Sequence, residues 1–403
     1  GRWKRSPRPS LPPFRRGFVM DLVYTTLRHV RALDYVLEPL VQREPPEHAM
    51  PALLVGACQI LQMPDVAEHA AVHATVEALK HLDGDRAAGF VNAVLRNIQR
   101  KLDAIRAELA AAPLAVRASH PDEQVERWTT RFGAERAAEI CAWDNLPASV
   151  TVLTVPRGPS VAELLAAFEA AGVKAEAHPG APERAAVLPH GSHVEDLPGF
   201  KEGAFSIQDP ATLEAVLLLD VRPGMRVLDG CAAPGGKSVQ IGLRLDGHGS
   251  LLAMDCWPDR LPPLEENLRR FKLGDVARAM LGDARRISLG EVGGRRFDRI
   301  LLDVPCSNTG VQRRRADARW RFSAERLGQL TQPQAEILEN GASLLGPGGR
   351  LVYSTCSLER EENEAVVEAF LQRHGDFTLV DHVALVPPDR GMDGAFAAAL
   401  ARR

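Results

Sequence analysis

From Asp209 onward the chain alternates short strand-like runs with helical ones, and few folds accept that alternation. Strands are expected at Met225 to Asp229, Ser250 to Asp255, Ala277 to Leu281, Phe297 to Asp303 and Gly349 to Ser354. Two more, Phe377 to Val380 and Gly394 to Leu400, would close the far edge. Runs such as Arg299-Ile300-Leu301-Leu302-Asp303 and Arg350-Leu351-Val352-Tyr353-Ser354 are apolar without alternation, the pattern of parallel strands buried on both faces. The reading is a doubly wound parallel sheet, in which ligands bind outside the carboxyl ends of the strands. Residues at those ends are therefore the candidates for chemistry.

Five such ends carry informative residues. Val227-Leu228-Asp229 turns into a helix through Gly230-Cys231-Ala232-Ala233-Pro234-Gly235-Gly236-Lys237-Ser238, small residues that let something approach the backbone closely. The loop is no G-x-G-x-x-G dinucleotide fingerprint. As a P-loop it is out of register, because Cys231 stands where the first Gly is required and Gly230 lies one residue away. An NTPase stays a rival reading, since Arg299 to Asp303 also resembles a Walker B strand. Asp255 ends the next strand, where a carboxylate can accept from both ribose hydroxyls, and Asp283 the one after, placed to accept from an adenine amino group. A single Asp is more often a cap or turn residue, but acids at successive strand ends beside a small-residue loop favour a nucleoside site. Two cysteines, Cys306 in Asp303-Val304-Pro305-Cys306-Ser307 and Cys356 in Ser354-Thr355-Cys356-Ser357, end two more strands and would face one crevice.

Upstream, residues 17 to 142 repeat apolar positions at i, i+3 and i+4, with breaks at Pro64 and Gly84, and read as a helical bundle. Residues 148 to 207 read as a small α+β module: a strand at 149 to 153, a helix capped by Ser160 and running to Ala171, and short strands near 172 to 176, 185 to 187 and 204 to 206. Residues 1 to 16, rich in Pro and Arg, are expected to be a disordered basic arm. The first Met is Met20, so the numbering is compatible with a start inside a longer reading frame. Six cysteines without a C-x-x-C pair favour free thiols in a reducing cytoplasm, and no apolar run of about 18 residues exists to span a bilayer. Net charge is only -3, so nucleic-acid contact must come from clusters such as Arg2 to Arg16, Arg269 to Lys272 and Arg313 to Arg321, each also readable as a solvated face. Cys58, Cys141 and Cys256 are read as small buried hydrophobes. His69, His73 and Glu77 have helical spacing for a metal, but ordinary helix surface is the better reading, and no metal is expected.

Taken together, the loop from Asp229 to Ser238, Asp255, Asp283 and the two cysteine motifs resemble the S-adenosylmethionine-dependent RNA 5-methylcytosine methyltransferases, over roughly residues 205 to 403. Ala52 to Leu61, His69 to Val76 and Phe90 to Arg96 resemble a NusB-type RNA-binding domain that is expected to lack its first helix; that pairing resembles the RsmB/Sun branch. Gly230 and Val304 depart from that family, which more often has Leu and Ala there. The resemblance implies a multi-domain protein: an N-terminal all-α NusB-like bundle, the small α+β module, and from residue 208 a Rossmann-like class I methyltransferase domain.

It also implies roles. S-adenosylmethionine would be bound by Cys231, Ala232, Ala233, Pro234, Gly235, Gly236, Lys237, Asp255, Arg260, Asp283 and Asp303, with Cys231 contributing backbone only. Lys237 would hold the methionine carboxylate or a substrate phosphate. Carbon 5 of cytosine is a poor nucleophile, and a thiolate adding at carbon 6 activates it. By resemblance Cys356 is that nucleophile and Cys306 assists release; the chemistry alone does not rank them. Asp303 would hydrogen-bond the base near ring nitrogen 3 if burial keeps it protonated. Arg313, Arg314, Arg315, Arg319 and Arg321 would meet phosphates of a flipped-out nucleotide, and Trp320 would stack on a base. The partner is then ribosomal RNA of the 16S type, met by a monomer; an RNA-binding assembly factor that keeps only the fold is the rival.

Overall fold

A computed structural model describes residues 13–42 and 44–403, in two compact units that meet at Pro147/Ala148. Helix α1 (Pro13–Leu37) begins inside the segment expected to be a disordered arm; Pro at the first helical position carries a φ already suited to the helix. Residues 1–12 of that arm, with Arg2, lie outside the described residues.

The first unit continues with α2 (Ala49–Gln62), α3 (Glu68–Arg100), α4 (Leu102–Ala111), α5 (Leu114–Arg117), α6 (Asp122–Phe132) and α7 (Ala134–Asn145). The expected breaks are present: α2 stops before Pro64, and Gly84, at φ +81°, interrupts α3. Leu53, Ala57 and Ile60 form the apolar stripe of α2 and pack with Leu33, Val91 and Leu95. A Cβ on Gly56 would lie 2.5 Å from Leu95 Cδ1, so α2 and α3 can approach this closely only with glycine there. His69, His73 and Glu77 lie on the exposed side of α3, opposite buried Ala71, Val72 and Leu79.

The second unit opens with β1 (Thr151–Thr154), α8 (Val161–Ala170), β2 (Glu176–Ala177), β3 (Ala185–Val187) and β4 (Phe205–Ile207). They form an antiparallel sheet in the order β2-β3-β1-β4. Ser160 caps α8 in a reciprocal capping box with Glu163. The strand expected at 172 to 176 shrinks to the two-residue β2, because a turn at Gly172, φ +81°, occupies the start.

Then follow α9 (Ala211–Leu219), β5 (Arg226–Asp229), α10 (Gly236–Arg244), β6 (Ser250–Asp255), α11 (Leu261–Arg270), β7 (Ala277–Leu281), β8 (Phe297–Asp303), α12 (Ala324–Leu344), β9 (Leu345–Thr355), α13 (Glu364–Arg373), β10 (Phe377–Leu385) and β11 (Ala395–Arg402). The seven-stranded sheet runs β10-β11-β9-β8-β5-β6-β7, with β5 to β9 parallel and β10 and β11 antiparallel. Alternate residues of the central strands serve opposite faces. Leu228, Leu252, Ile300, Leu302 and Leu351 pack against Leu338 of α12 and Phe370 of α13. Val227, Leu251, Leu301 and Val352 pack against Val216 of α9 and Ile241 of α10. Each such buried aliphatic side chain contributes roughly 2 kcal/mol, and the sheet is held rigid beneath its carboxyl ends.

Candidate active site

The glycine loop is built by backbone constraints. Ala232 N donates to Met254 O at 2.8 Å and Ala233 N to Asp255 Oδ2 at 3.3 Å, which pins the loop to β6. Gly235 has φ +109°, and a Cβ there would meet Leu264 Cδ1 at 2.9 Å. Asp229 is buried and accepts from Ser238 Oγ at 2.6 Å; burial pushes its pKa up to about 7. Cys231 is half-buried, with its thiol pushed up by desolvation and then by the Asp229 carboxylate, so it stays protonated.

Asp255, at the end of β6, also accepts from Trp257 N at 3.0 Å. Asp283, just past β7, accepts from Arg285 N at 3.0 Å and from the Arg285 guanidinium at 2.7 Å; that bonding pulls its pKa down to about 2. These carboxylates, Arg260 and the loop residues Gly230, Cys231, Ala233, Pro234 and Lys237 line one cleft of about 1020 Å³. A pinned loop without side-chain bulk, with an acid at the end of each of two neighbouring strands, fits a nucleoside-bearing cofactor such as S-adenosylmethionine. Cys256 departs from expectation: it is exposed at the cleft, because β6 ends at Asp255 and the chain turns outward to exposed Trp257.

The same cleft holds the other strand ends. Asp303 Oδ1 accepts from Ser354 Oγ at 2.8 Å, and Oδ2 from Lys237 Nζ at 2.6 Å. Asp303 is half-buried in an ion pair with Lys237. Desolvation works against the Lys237 ammonium, but Asp303, and beyond it Cys356, outweigh that and hold its pKa above the ordinary lysine value. Lys237 is thus turned toward β8 and β9. Cys306 Sγ and Cys356 Sγ lie 3.3 Å apart, and Cys356 Sγ donates to Asn308 Oδ1 at 3.4 Å. The hydrogen bond to Cys356, and then burial, raise the Cys306 pKa well above that of an ordinary thiol.

Several contributing residues escaped the sequence reading. Asn308, at φ 62°, donates to Cys306 O at 2.9 Å and so fixes the turn between the two sulfurs; an Asn just after Pro-Cys-Ser was the available signal, since Asn tolerates this conformation. Glu362, fully buried, accepts from Ser307 N and from Gln334 Nε2, both at 2.9 Å, and from the Ser307 hydroxyl. It sits in Glu359-Arg360-Glu361-Glu362, which in sequence looks like a solvated charge run.

The arginines after Cys306 do not form the phosphate-facing row expected of them. Arg313 donates to Asp393 Oδ1 at 2.8 Å, and Arg314 bonds Asp393, Asp209 Oδ2 at 2.9 Å and Ser149 O at 2.9 Å. Arg313 and Arg319 are buried, while Trp320 is half-buried and lies outside the cleft lining. Arg315 and Arg321 alone of the five are exposed in the cleft. Arg270 is likewise structural, its guanidinium 4.5 Å from the Phe200 ring centre and 4.3 Å from that of Phe271.

A seven-stranded sheet of this order, with a small-residue turn after β5 and acids ending β6 and β7, defines a Rossmann-like methyltransferase. Comparison with known proteins narrows the class. Residues 216–401 match the family model described as 16S rRNA methyltransferase RsmB/F, and residues 6–100 that of the NusB family. A Vibrio cholerae protein named ribosomal RNA small subunit methyltransferase B is 36% identical over 97% of this chain and 90% of its own length. A Bacillus subtilis protein named probable ribosomal RNA small subunit methyltransferase B is 35% identical over 90% of this chain and 81% of its own. Among solved structures, a methyltransferase homolog protein from Pyrococcus horikoshii superimposes with a TM-score of 0.62 at 26% identity, over 72% of this chain and 98% of that one. The chain belongs to the RsmB/F family of methyltransferases.

Proposed function

We propose that this protein methylates carbon 5 of a cytosine in small-subunit ribosomal RNA, with S-adenosylmethionine as methyl donor, through a transient bond from Cys356 to carbon 6. The observation that carries the reading is the pair of thiols 3.3 Å apart beside the Asp303–Lys237 ion pair, in the cleft that also holds Asp255 and Asp283. When bound, S-adenosylmethionine supplies an electrophilic methyl group; Asp255 and Asp283 offer acceptors for its ribose and adenine, and the pinned loop offers room for the rest.

The protein's own residues divide the remaining work. The Lys237 ammonium sets a positive charge on the side of the cleft that holds the Cys356 sulfur. That sulfur adds its electron pair to carbon 6, and the displaced double-bond electrons make carbon 5 nucleophilic. Asp303 accepts from the exocyclic amino group of the base, and Lys237 donates toward ring nitrogen 3. Cys306, whose raised pKa keeps its proton in place, hydrogen-bonds the Cys356 sulfur as it departs. The NusB-like unit and the small antiparallel module bind the surrounding RNA.

The test is a pair of variants assayed with small-subunit RNA. Cys356→Ala should abolish 5-methylcytosine, read by bisulfite sequencing, and Cys306→Ala should accumulate a protein–RNA adduct that survives denaturing electrophoresis. An adduct in Cys356→Ala and none in Cys306→Ala would reverse the assignment, and methylation at another atom would sink the reading.

A further inference from the structure

Release of the methylated base needs a group to take the carbon-5 proton, and Cys306 is held in its protonated form. We propose that Glu362 is that proton acceptor, reached from the cleft through the hydroxyl of Ser307; this rests on the reading given above. Ser307 lines the cleft next to Cys306, and its Oγ donates to Glu362 Oε2. Glu362 itself is fully buried, and its other oxygen is occupied by Ser307 N and Gln334 Nε2, both at 2.9 Å. One carboxylate oxygen therefore orients the group, and the other faces a single hydroxyl that opens to the cleft. A second route for a proton exists behind Ser307, whose Oγ is 3.1 Å from Ser357 Oγ. The titratable groups that face Glu362 are Cys306 and Tyr353, the latter donating its hydroxyl to Glu362 O at 2.6 Å.

The step balances. The carbon-5 to hydrogen bond breaks and its electrons restore the double bond between carbons 5 and 6. The bond from carbon 6 to Cys356 Sγ breaks, and the sulfur leaves with its pair as thiolate. The proton goes to Ser307 Oγ while the hydroxyl's own proton passes to Glu362, which later returns it to solvent.

The experiment uses RNA carrying tritium at cytosine carbon 5 and follows methyl incorporation and tritium release together. Glu362→Gln keeps an acceptor for Ser307 N and Gln334 and loses only the basic oxygen; Ser307→Ala removes the relay and keeps Glu362. Each variant should incorporate about one methyl group per enzyme in a burst, hold it as an adduct, and release tritium about 100-fold more slowly than the parent. Raising the pH should partly restore release in Ser307→Ala, where hydroxide can take the carbon-5 proton without the relay. Tritium release in step with methylation in both variants, or loss of the methyl burst itself in both, would overturn the proposal. A parent enzyme that releases no tritium would instead remove the reading beneath it.

Discussion

Asp229 sits in an environment far from water: it is buried under the glycine loop, and its pKa rises from 3.8 to about 7. A carboxyl that binds its proton more tightly when folded stabilises the native state in acid, and that contribution fades as pH rises from about 4 through about 7. Asp229→Asn carries no charge at any of these values. Relative to the variant, the parent should lose on the order of 3 kcal/mol of unfolding free energy between about pH 4 and pH 8. Urea unfolding of both proteins across that range measures it, and a difference that stays constant with pH would show Asp229 to be ionised throughout. The placement of side chains at the strand ends was largely legible in sequence because Asp229, Asp255 and Asp303 each close an apolar run and Cys356 follows one directly. Glu362 was not, because burial of one acid within a charged run depends on Ser307 and Gln334, which approach only in the folded chain.

At the scale of elements, the segment between β8 and α12 is held by charges that its own sequence does not reveal. Arg313 and Arg314 read as a basic surface, yet their partners Asp209 and Asp393 lie far away in the chain and arrive with α9 and β11. From Asp393 the chain continues to Gly394, whose N donates to Gly310 O at 2.7 Å, while Gly310 N donates to Cys356 O at 2.9 Å. Asp393→Ala removes the carboxylate that both guanidinium groups share and should lower the unfolding free energy by about 3 to 5 kcal/mol. Arg315→Ala, exposed in the cleft, should cost less than about 0.5 kcal/mol and act on RNA affinity instead. Denaturant titration separates the two; equal losses would mean that the buried cluster is incidental.

For the whole molecule, a net charge of -3 leaves RNA binding to local groups such as Arg315 and Arg321, and affinity for small-subunit RNA should still fall with salt, by at least about tenfold between roughly 50 and 200 mM. Filter binding across that range measures it, and a flat profile would argue against phosphate contacts. The positions of the parallel strands followed from the alternation of apolar and helical runs, their order in the sheet did not, and β9 proved longer at its start because Leu345 pairs with Phe297 across a register shift that no local pattern announces. β11 has a consequence in time. It lies between β9 and β10 although it follows both in the chain, and the turn just before it touches the loop that carries Gly310. While the polypeptide is still emerging from the ribosome, Cys356 is made before the strand that borders β9, and that edge of the sheet waits for residues near 400.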